Sequence, residues 1–154
     1  MGTALNQRLR QDGFDGPAHA ATLNVLIAAG FLQDESARLF AGFGVTPAQY
    51  NVLRILKGAH PGGHPRCEIA RRMIERSPDL TRMIDRLERR GLVERTRSGQ
   101  DRRHSITRIT GTGLELVGRM APAAAALHEA VARRLTRPQI AALSRLCERL
   151  YAQD

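Results

Sequence analysis

The chain of 154 residues contains no tryptophan, six other aromatic residues and two cysteines. Two cysteines cannot form a disulfide framework, and no apolar run approaches the roughly 18 residues that a membrane span needs, so disulfide-rich secreted and membrane proteins are excluded. The N-terminus shows no basic segment followed by an apolar one, and we therefore expect no secretory signal and a cytoplasmic location. The length predicts one domain, and the scarcity of aromatics predicts an aliphatic core.

Lysine is also nearly absent, because Lys57 stands alone against 23 arginines. A GC-rich genome accounts for much of a preference for arginine over lysine. It does not account for 24 cations against 15 acids, a net charge of +9. An isoelectric point near 11.2 is typical of proteins that bind nucleic acids.

The positive charge is concentrated in the middle of the chain. Residues 64–108 contain 13 arginines and seven acids, whereas residues 1–18 have no net charge. A basic segment between nearly neutral flanks indicates a binding face and not only solubility.

The spacing of apolar residues predicts a mainly helical chain. Residues 1–17 form a loose or partly helical arm, and a long helix covers 18–42. The capping box Thr46-Pro47-Ala48-Gln49 starts a helix that runs to about residue 58. Proline and glycine then predict a loop over 59–65.

Two short helices separated by a turn are predicted next. The first covers 67–75. Its inward-facing residues are predicted to be Ile69, Ala70, Met73 and Ile74. Ser77 caps the second helix, Pro78 takes its first position, and Gly91 ends it.

The periodicity then changes to that of strands. Residues 92–96 and 104–109 predict a basic β-hairpin. Helical spacing returns over 112–135, with a kink expected at Pro122. A second capping box at Thr136 opens a final helix.

Helix, turn, helix and basic hairpin in this order form a winged helix-turn-helix, whose second helix fits the DNA major groove. Three motifs make the resemblance specific. They are Gly44-Val45-Thr46-Pro47-Ala48-Gln49-Tyr50, then Leu80-Thr81-Arg82-Met83-Ile84-Asp85-Arg86-Leu87-Glu88, and then Asp101-Arg102-Arg103 with Ile109-Thr110 and Gly113. With these motifs, residues 45–113 resemble the MarR family of bacterial transcription regulators.

The resemblance implies a fold that is mainly α with a small β-hairpin wing. It implies a DNA-binding lobe over 45–110 and a dimerisation region formed by 18–44 and 111–154. The implied protein is a nucleoid-associated homodimer that represses transcription from a palindromic operator in double-stranded DNA and is released by a small aromatic or phenolic ligand.

The resemblance also implies roles for individual residues. The DNA-binding residues would be Ser77, Asp79, Thr81, Arg82, Arg86, Arg95, Asp101, Arg102 and Arg103. Among them, Arg103 would enter the minor groove and Asp101 would position it. Phe31, Tyr50 and Arg54 would contact the ligand, although Phe31 and Tyr50 can equally be core residues and Arg54 a surface cation.

Several alternatives stay open at this point. A winged helix also serves in contacts with protein or RNA, without any response to a ligand. No nucleophile–base pair or paired carboxylates suggest an enzyme, and no cofactor is expected. His60, His64, Cys67 and Glu68 have spacing that could bind a metal, but a polar loop entering a helix is favoured, and no metal is expected.

Overall fold

A computed structural model describes residues 3–96 and 105–152. The helices are α1 Thr3–Leu9, α2 Pro17–Phe40, α3 Pro47–Gly58, α4 Arg66–Arg72, α5 Leu80–Arg89, α6 Gly111–Ala132 and α7 Arg137–Tyr151. The strands are β1 His64–Pro65, β2 Val93–Thr96 and β3 Ile106–Ile109. The order from α3 to β3 is that of a winged helix-turn-helix, so the predicted fold class is confirmed.

Local sequence chemistry starts α3, as predicted. The Gln49 N–H donates to the Thr46 hydroxyl at 3.2 Å, and the Thr46 N–H donates to the Gln49 side-chain oxygen at 3.0 Å. Pro47 occupies the first turn, where its missing N–H costs no hydrogen bond. The helix then buries Val52 and Leu53 completely.

One aliphatic core lies under the helix-turn-helix and joins it to the flanking helices. Its residues come from α2 to α6 and both hairpin strands. The fully or almost fully buried members include Leu53, Leu56, Ile69, Ile84, Leu87, Val93, Val117 and Met120. Each such side chain contributes roughly 1.5–3 kcal/mol to stability by its burial. Packing of α5 against this core therefore fixes the position of the helix and leaves its opposite face exposed.

The antiparallel sheet has the order β1-β3-β2. The predicted hairpin is confirmed, with Val93 opposite Ile109 and Thr96 opposite Ile106. The prediction of a loop over the whole of 59–65 was wrong, because His64 pairs with Thr107 across β1 and β3. Such pairing depends on residues more than forty positions away, which local turn signals do not reveal.

The turn between α4 and α5 differs most from the prediction. Helix α4 ends at Arg72, and Met73 has an extended backbone with φ −68° and ψ 139°. The helical spacing is therefore interrupted, so the inward orientation predicted for Ile74 was wrong; its side chain is 87% exposed. Ala70 is exposed as well.

Helix α5 begins later than predicted. Ser77 and Pro78 precede it, and Asp79 is its cap residue without a side-chain capping bond. Leu80, which is only 2% exposed, is the first helical residue. Packing of Leu80 against the core therefore coincides with the start of the helix, and the proposed Ser77 cap was wrong.

The terminal helices follow the prediction closely. The arm contains α1, whose Leu5 is buried. Thr110 caps α6 by accepting the Gly113 N–H at 3.1 Å, and Pro122 lies inside that helix. Across residues 3–96 and 105–152, no helix combines the length and the apolar character needed to cross a membrane.

Candidate nucleic-acid interface

Helix α5 separates a buried face from a charged one. Leu80, Ile84 and Leu87 face the core at 2% exposure or less. The opposite face presents Thr81, Arg82 and Arg86 to solvent. The sequence of α5 alternates apolar and basic residues at helical spacing, which makes one side a packing surface and the other a surface for a polyanion.

The C-terminus of α5 is closed by backbone bonds. Gly91 has a φ of +68°, and the Leu92 N–H donates to the Leu87 carbonyl at 3.0 Å. This is the Schellman arrangement, which uses a left-handed glycine to end a helix. It turns the chain directly into β2, so the wing begins next to the helix that it accompanies.

The predicted contact residues near the start of α5 lie close together. Ser77 is half-buried just before the helix, and Asp79 is the exposed cap residue. The Arg82 side chain is 80% exposed, and its Nη1 lies 4.0 Å from an Asp79 oxygen. An exposed pair of this kind is weak, so Arg82 remains available to an external partner.

Arg95 stands apart from the other predicted contact residues. Its Nε donates to Glu88 at 2.9 Å, its backbone N–H donates to the other Glu88 oxygen at 3.1 Å, and its Nη2 also contacts Asp85. The Arg95 side chain is only 29% exposed. These contacts favour a role in holding the wing on α5 over direct contact with DNA.

The electrostatics of this cluster agree with its geometry. The hydrogen bond from Arg95 lowers the pKa of Glu88 below its ordinary 4.5, against an opposing effect of burial. The hydrogen bond to Glu88 likewise raises the pKa of Arg95. A depressed carboxyl pKa stabilises the folded state above about pH 4.5, and this contribution is lost as the pH falls through the lowered pKa.

We expect Glu88→Gln to lower the free energy of unfolding at pH 7 by about 1 kcal/mol, a value reduced for solvent screening of a partly exposed pair. The difference from wild type should shrink in acid, because wild-type Glu88 then also becomes neutral. Urea unfolding between neutral and acidic pH measures this. Glu115→Gln, at an exposed position on α6, is the control, and an E88Q deficit that stays constant with pH would contradict the assignment.

Two arginines hold the site together in ways that the sequence did not indicate. Arg108 donates to the Gly62 carbonyl at 3.1 Å and to the Thr96 hydroxyl at 2.7 Å, which ties the loop before β1 to the hairpin. Arg90 contacts the Gly44 and Phe43 carbonyls between α2 and α3. Only the tertiary structure brings these partners together.

The predicted tip of the wing lies outside the described residues. Asp101, Arg102 and Arg103 belong to this part, and their roles stay predictions. The described part of the wing ends at Thr96 of β2 and begins again before Ile106 of β3, and these two residues pair with each other.

A cleft lies on the other side of the helix-turn-helix, between α2, α3 and α6. It consists of two adjoining cavities of about 320 Å³ each, which share Ser36, Asn51 and Ile74. Tyr50 and Arg54 line it as predicted, together with His128 from α6. We call this the α3 cleft.

Phe31 is not among the residues that line the α3 cleft. Its ring lies under the Arg134 guanidinium, whose Cζ is 4.8 Å from the ring centroid. The predicted set of Phe31, Tyr50 and Arg54 is therefore not brought together in the described structure. Helical spacing alone could not reveal this, because it does not say which face of α2 meets α3.

An apolar surface remains uncovered on the terminal helices. Exposed residues there are Val25 at 40%, Leu26 at 63%, Leu143 at 47%, Leu146 at 60%, Leu150 at 71% and Tyr151 at 72%. Leu143, Leu146 and Leu150 recur at positions three and four apart and so share one face of α7. We call these six exposed residues of α2 and α7 the terminal apolar surface.

The possible metal ligands do not converge. Within residues 3–96 and 105–152, no three histidine, cysteine or acidic side chains form a group able to hold a metal ion. In the same ranges, Cys67 and Cys147 are both free thiols.

Comparison with known proteins gives consistent matches. The model of the MarR family matches residues 45–105. A MarR transcription factor from Planctomyces limnophilus is 34% identical, with a TM-score of 0.70, and the match covers 88% of this chain and 98% of that one. The transcriptional repressor CouR, bound to a 23-mer DNA duplex, is 32% identical with a TM-score of 0.74, covering 85% and 92%.

Curated relatives match a shorter part. The HTH-type transcriptional repressor MdtR of Bacillus subtilis is 39% identical over 82 residues, which are 53% of this chain and 52% of that protein. The chain spans 52% to 66% of the length of the curated relatives that it matches.

Proposed function

We propose that this chain, which belongs to the MarR family of transcription regulators, binds DNA as a homodimeric repressor. Its site would be a palindromic operator in double-stranded DNA. Members of this family regulate transcription and are not enzymes. The repressor part of the proposal follows the similarity to MdtR and CouR.

The observation that carries the proposal is the exposed basic face of α5 beside a wing bonded to the same helix. Thr81, Arg82 and Arg86 face outward on α5, and a major groove is wide enough to admit one helix. Arg95 connects the wing to α5 through Glu88. Similarity to CouR, which was solved with a DNA duplex, supports the same partner here.

The terminal apolar surface supports the homodimer. Leu146 and Leu150 are both more than half exposed on the described chain, and burying such residues against a second copy is favourable in proportion to the area removed from water. A two-fold dimer places two recognition helices about one DNA turn apart, roughly 34 Å, which matches a palindromic site.

The α3 cleft supports a response to a small aromatic acid. Its lining combines the Arg54 cation with the Tyr50 ring and apolar residues of α6, and a few polar groups in an apolar wall are usual for a ligand site. An aromatic carboxylate such as 4-hydroxybenzoate is the appropriate probe. Release of the bound duplex at rising probe concentration tests this part of the proposal.

We expect Arg82→Ala and Arg103→Ala each to weaken operator binding by about 1–3 kcal/mol, without unfolding the dimer. The Arg82 variant would lose a base or phosphate contact made by α5 at the major groove. The Arg103 variant would lose the minor-groove contact that the family resemblance implies for the wing. Fluorescence anisotropy with the duplex recovered by genomic footprinting measures both. Arg119→Ala removes one exposed charge from α6 and is the control.

The result that argues against the proposal is unchanged operator affinity in both folded variants. If RNA displaces the duplex, or if duplex binding does not fall steeply with salt, a winged helix used for contacts with RNA or protein is favoured instead.

A further inference from the structure

The turn between α4 and α5, residues 73–79, has little regular structure to hold it. In the described ranges, the turn and loop hydrogen bonds between backbone groups include none made by residues 74–78. Ile74 is 87% exposed, so its side chain adds little burial to fix the turn. Met73, at the start of the turn, is partly buried against the core.

A side chain of α3 supplies the missing backbone partner. The Ile74 N–H donates to the Asn51 side-chain oxygen at 2.9 Å, across 23 positions of sequence. Beside it, the Gln33 amide of α2 donates to the Glu75 carboxylate. The turn is thus attached to α2 and α3 by side chains, at the two residues that follow Met73.

The other end of α5 is attached to the same part of the molecule. Arg90, directly after α5, donates to the Gly44 carbonyl at the junction of α2 and α3. The Asn51 contact lies before the N-terminus of α5 and the Arg90 contact lies after its C-terminus. Polar contacts at both ends therefore restrain the direction of α5 relative to α3.

We propose that Asn51 is a positioning residue for DNA binding, which sets the direction of the recognition helix through its hydrogen bond to the Ile74 amide; this rests on the proposed function. The direction of α5 decides whether Arg82 and Arg86 reach the groove. In a dimer, a change in the direction of α5 occurs in both subunits. Removal of the Asn51 hydrogen bond therefore weakens binding at both half-sites of one operator.

The same residue connects the helix to the α3 cleft. Asn51 and Ile74 line both cavities of the cleft, and Gln33 and Glu75 line one of them. A molecule in the cleft that donates a hydrogen bond to the Asn51 side-chain oxygen competes with the Ile74 N–H for that oxygen. Occupancy of the cleft and the direction of α5 are then linked through one side chain.

The test uses the full-length protein and two readouts. Asn51→Ala and Asn51→Leu remove the acceptor, whereas Asn51→Asp keeps an oxygen at the same place. We expect N51A and N51L to lose operator affinity by about 5- to 30-fold, as for a lost hydrogen bond in each subunit. Hydrogen exchange of the Ile74 amide, followed by NMR without DNA, should accelerate by about tenfold or more because a protecting bond is gone.

The conservative and control variants separate positioning from general stability. N51D should stay within about threefold of wild type in operator affinity and should retain protection at Ile74, since its carboxylate still accepts the N–H. Asn24→Ala removes an amide whose bond is to the Ala20 carbonyl one turn earlier in α2, and it should change neither readout.

The outcomes are distinct. If the wild-type protein binds the duplex and folded N51A and N51L bind it equally well, the inference is overturned and the proposed function stands. Unfolding of both removal variants also overturns it, in favour of a purely structural role. Failure of the wild-type protein to bind any duplex overturns the proposed function. An unchanged exchange rate of the Ile74 amide in N51A would show that Asn51 does not protect this amide, and it overturns the inference.

Discussion

Replacing Gly113 by alanine is expected to lower the free energy of unfolding by about 3 kcal/mol, as for severe overpacking in a core. A Cβ at Gly113 would overlap the Leu92 carbonyl oxygen and lie 2.6 Å from Ile109 Cγ1. The Leu92 carbonyl cannot move away freely, because it accepts the Thr110 N–H at 3.1 Å. Relief of the clash would disturb the start of α6 or the base of the wing.

Gly118 offers a matched control on the same helix. A Cβ there meets no atom within 4 Å, so Gly118→Ala should be neutral or stabilising by up to about 1 kcal/mol, through the helix propensity of alanine. Thermal or urea unfolding of the three proteins at one protein concentration makes the comparison. Equal stability of G113A and G118A would show that the start of α6 does not pack tightly against Leu92.

Replacing Leu146 by glutamate is expected to convert the dimer to a monomer and to reduce operator affinity by about 100-fold or more. Leu146 is 60% exposed and lies between Leu143 and Leu150 on the terminal apolar surface. Burial of a carboxylate in an apolar interface is strongly unfavourable. A monomer binds one half-site and loses the gain from linking two binding events, which is commonly 10²–10⁴-fold.

Sedimentation velocity measures the state of association, and anisotropy measures the affinity. Ile74→Glu is the control for association, because Ile74 is 87% exposed yet lies outside α2 and α7. It should leave the dimer intact. A dimeric L146E protein, or a wild type that sediments as a monomer, would contradict the proposed interface.

Parts of the fold with short-range causes could be predicted from the sequence. The start of α3 depends on Thr46 and Gln49, which are three positions apart and form their capping bonds within one turn. The end of α5 depends on Gly91 and its immediate neighbours. In both cases, every group that decides the geometry lies within a few residues.

Parts with long-range causes could not be predicted in this way. Strand β1 exists because His64 meets Thr107. The helical spacing stops before Ile74, whose N–H donates to Asn51, 23 positions away in the sequence. Arg95 lies against Glu88 because β2 folds back along α5. The positions of basic residues in the sequence do not reveal this arrangement. For the same reason, the family resemblance implied that Arg95 would contact DNA.

The bond between the wing and α5 bears on the operators that such a dimer can accept. Because Arg95 ties β2 to α5 through Glu88 and Asp85, the distance between the proposed major-groove and minor-groove contacts would be set within one subunit. The distance between the two half-sites is set instead where the subunits meet. Natural operators of the proposed dimer should therefore agree in the length of each half-site.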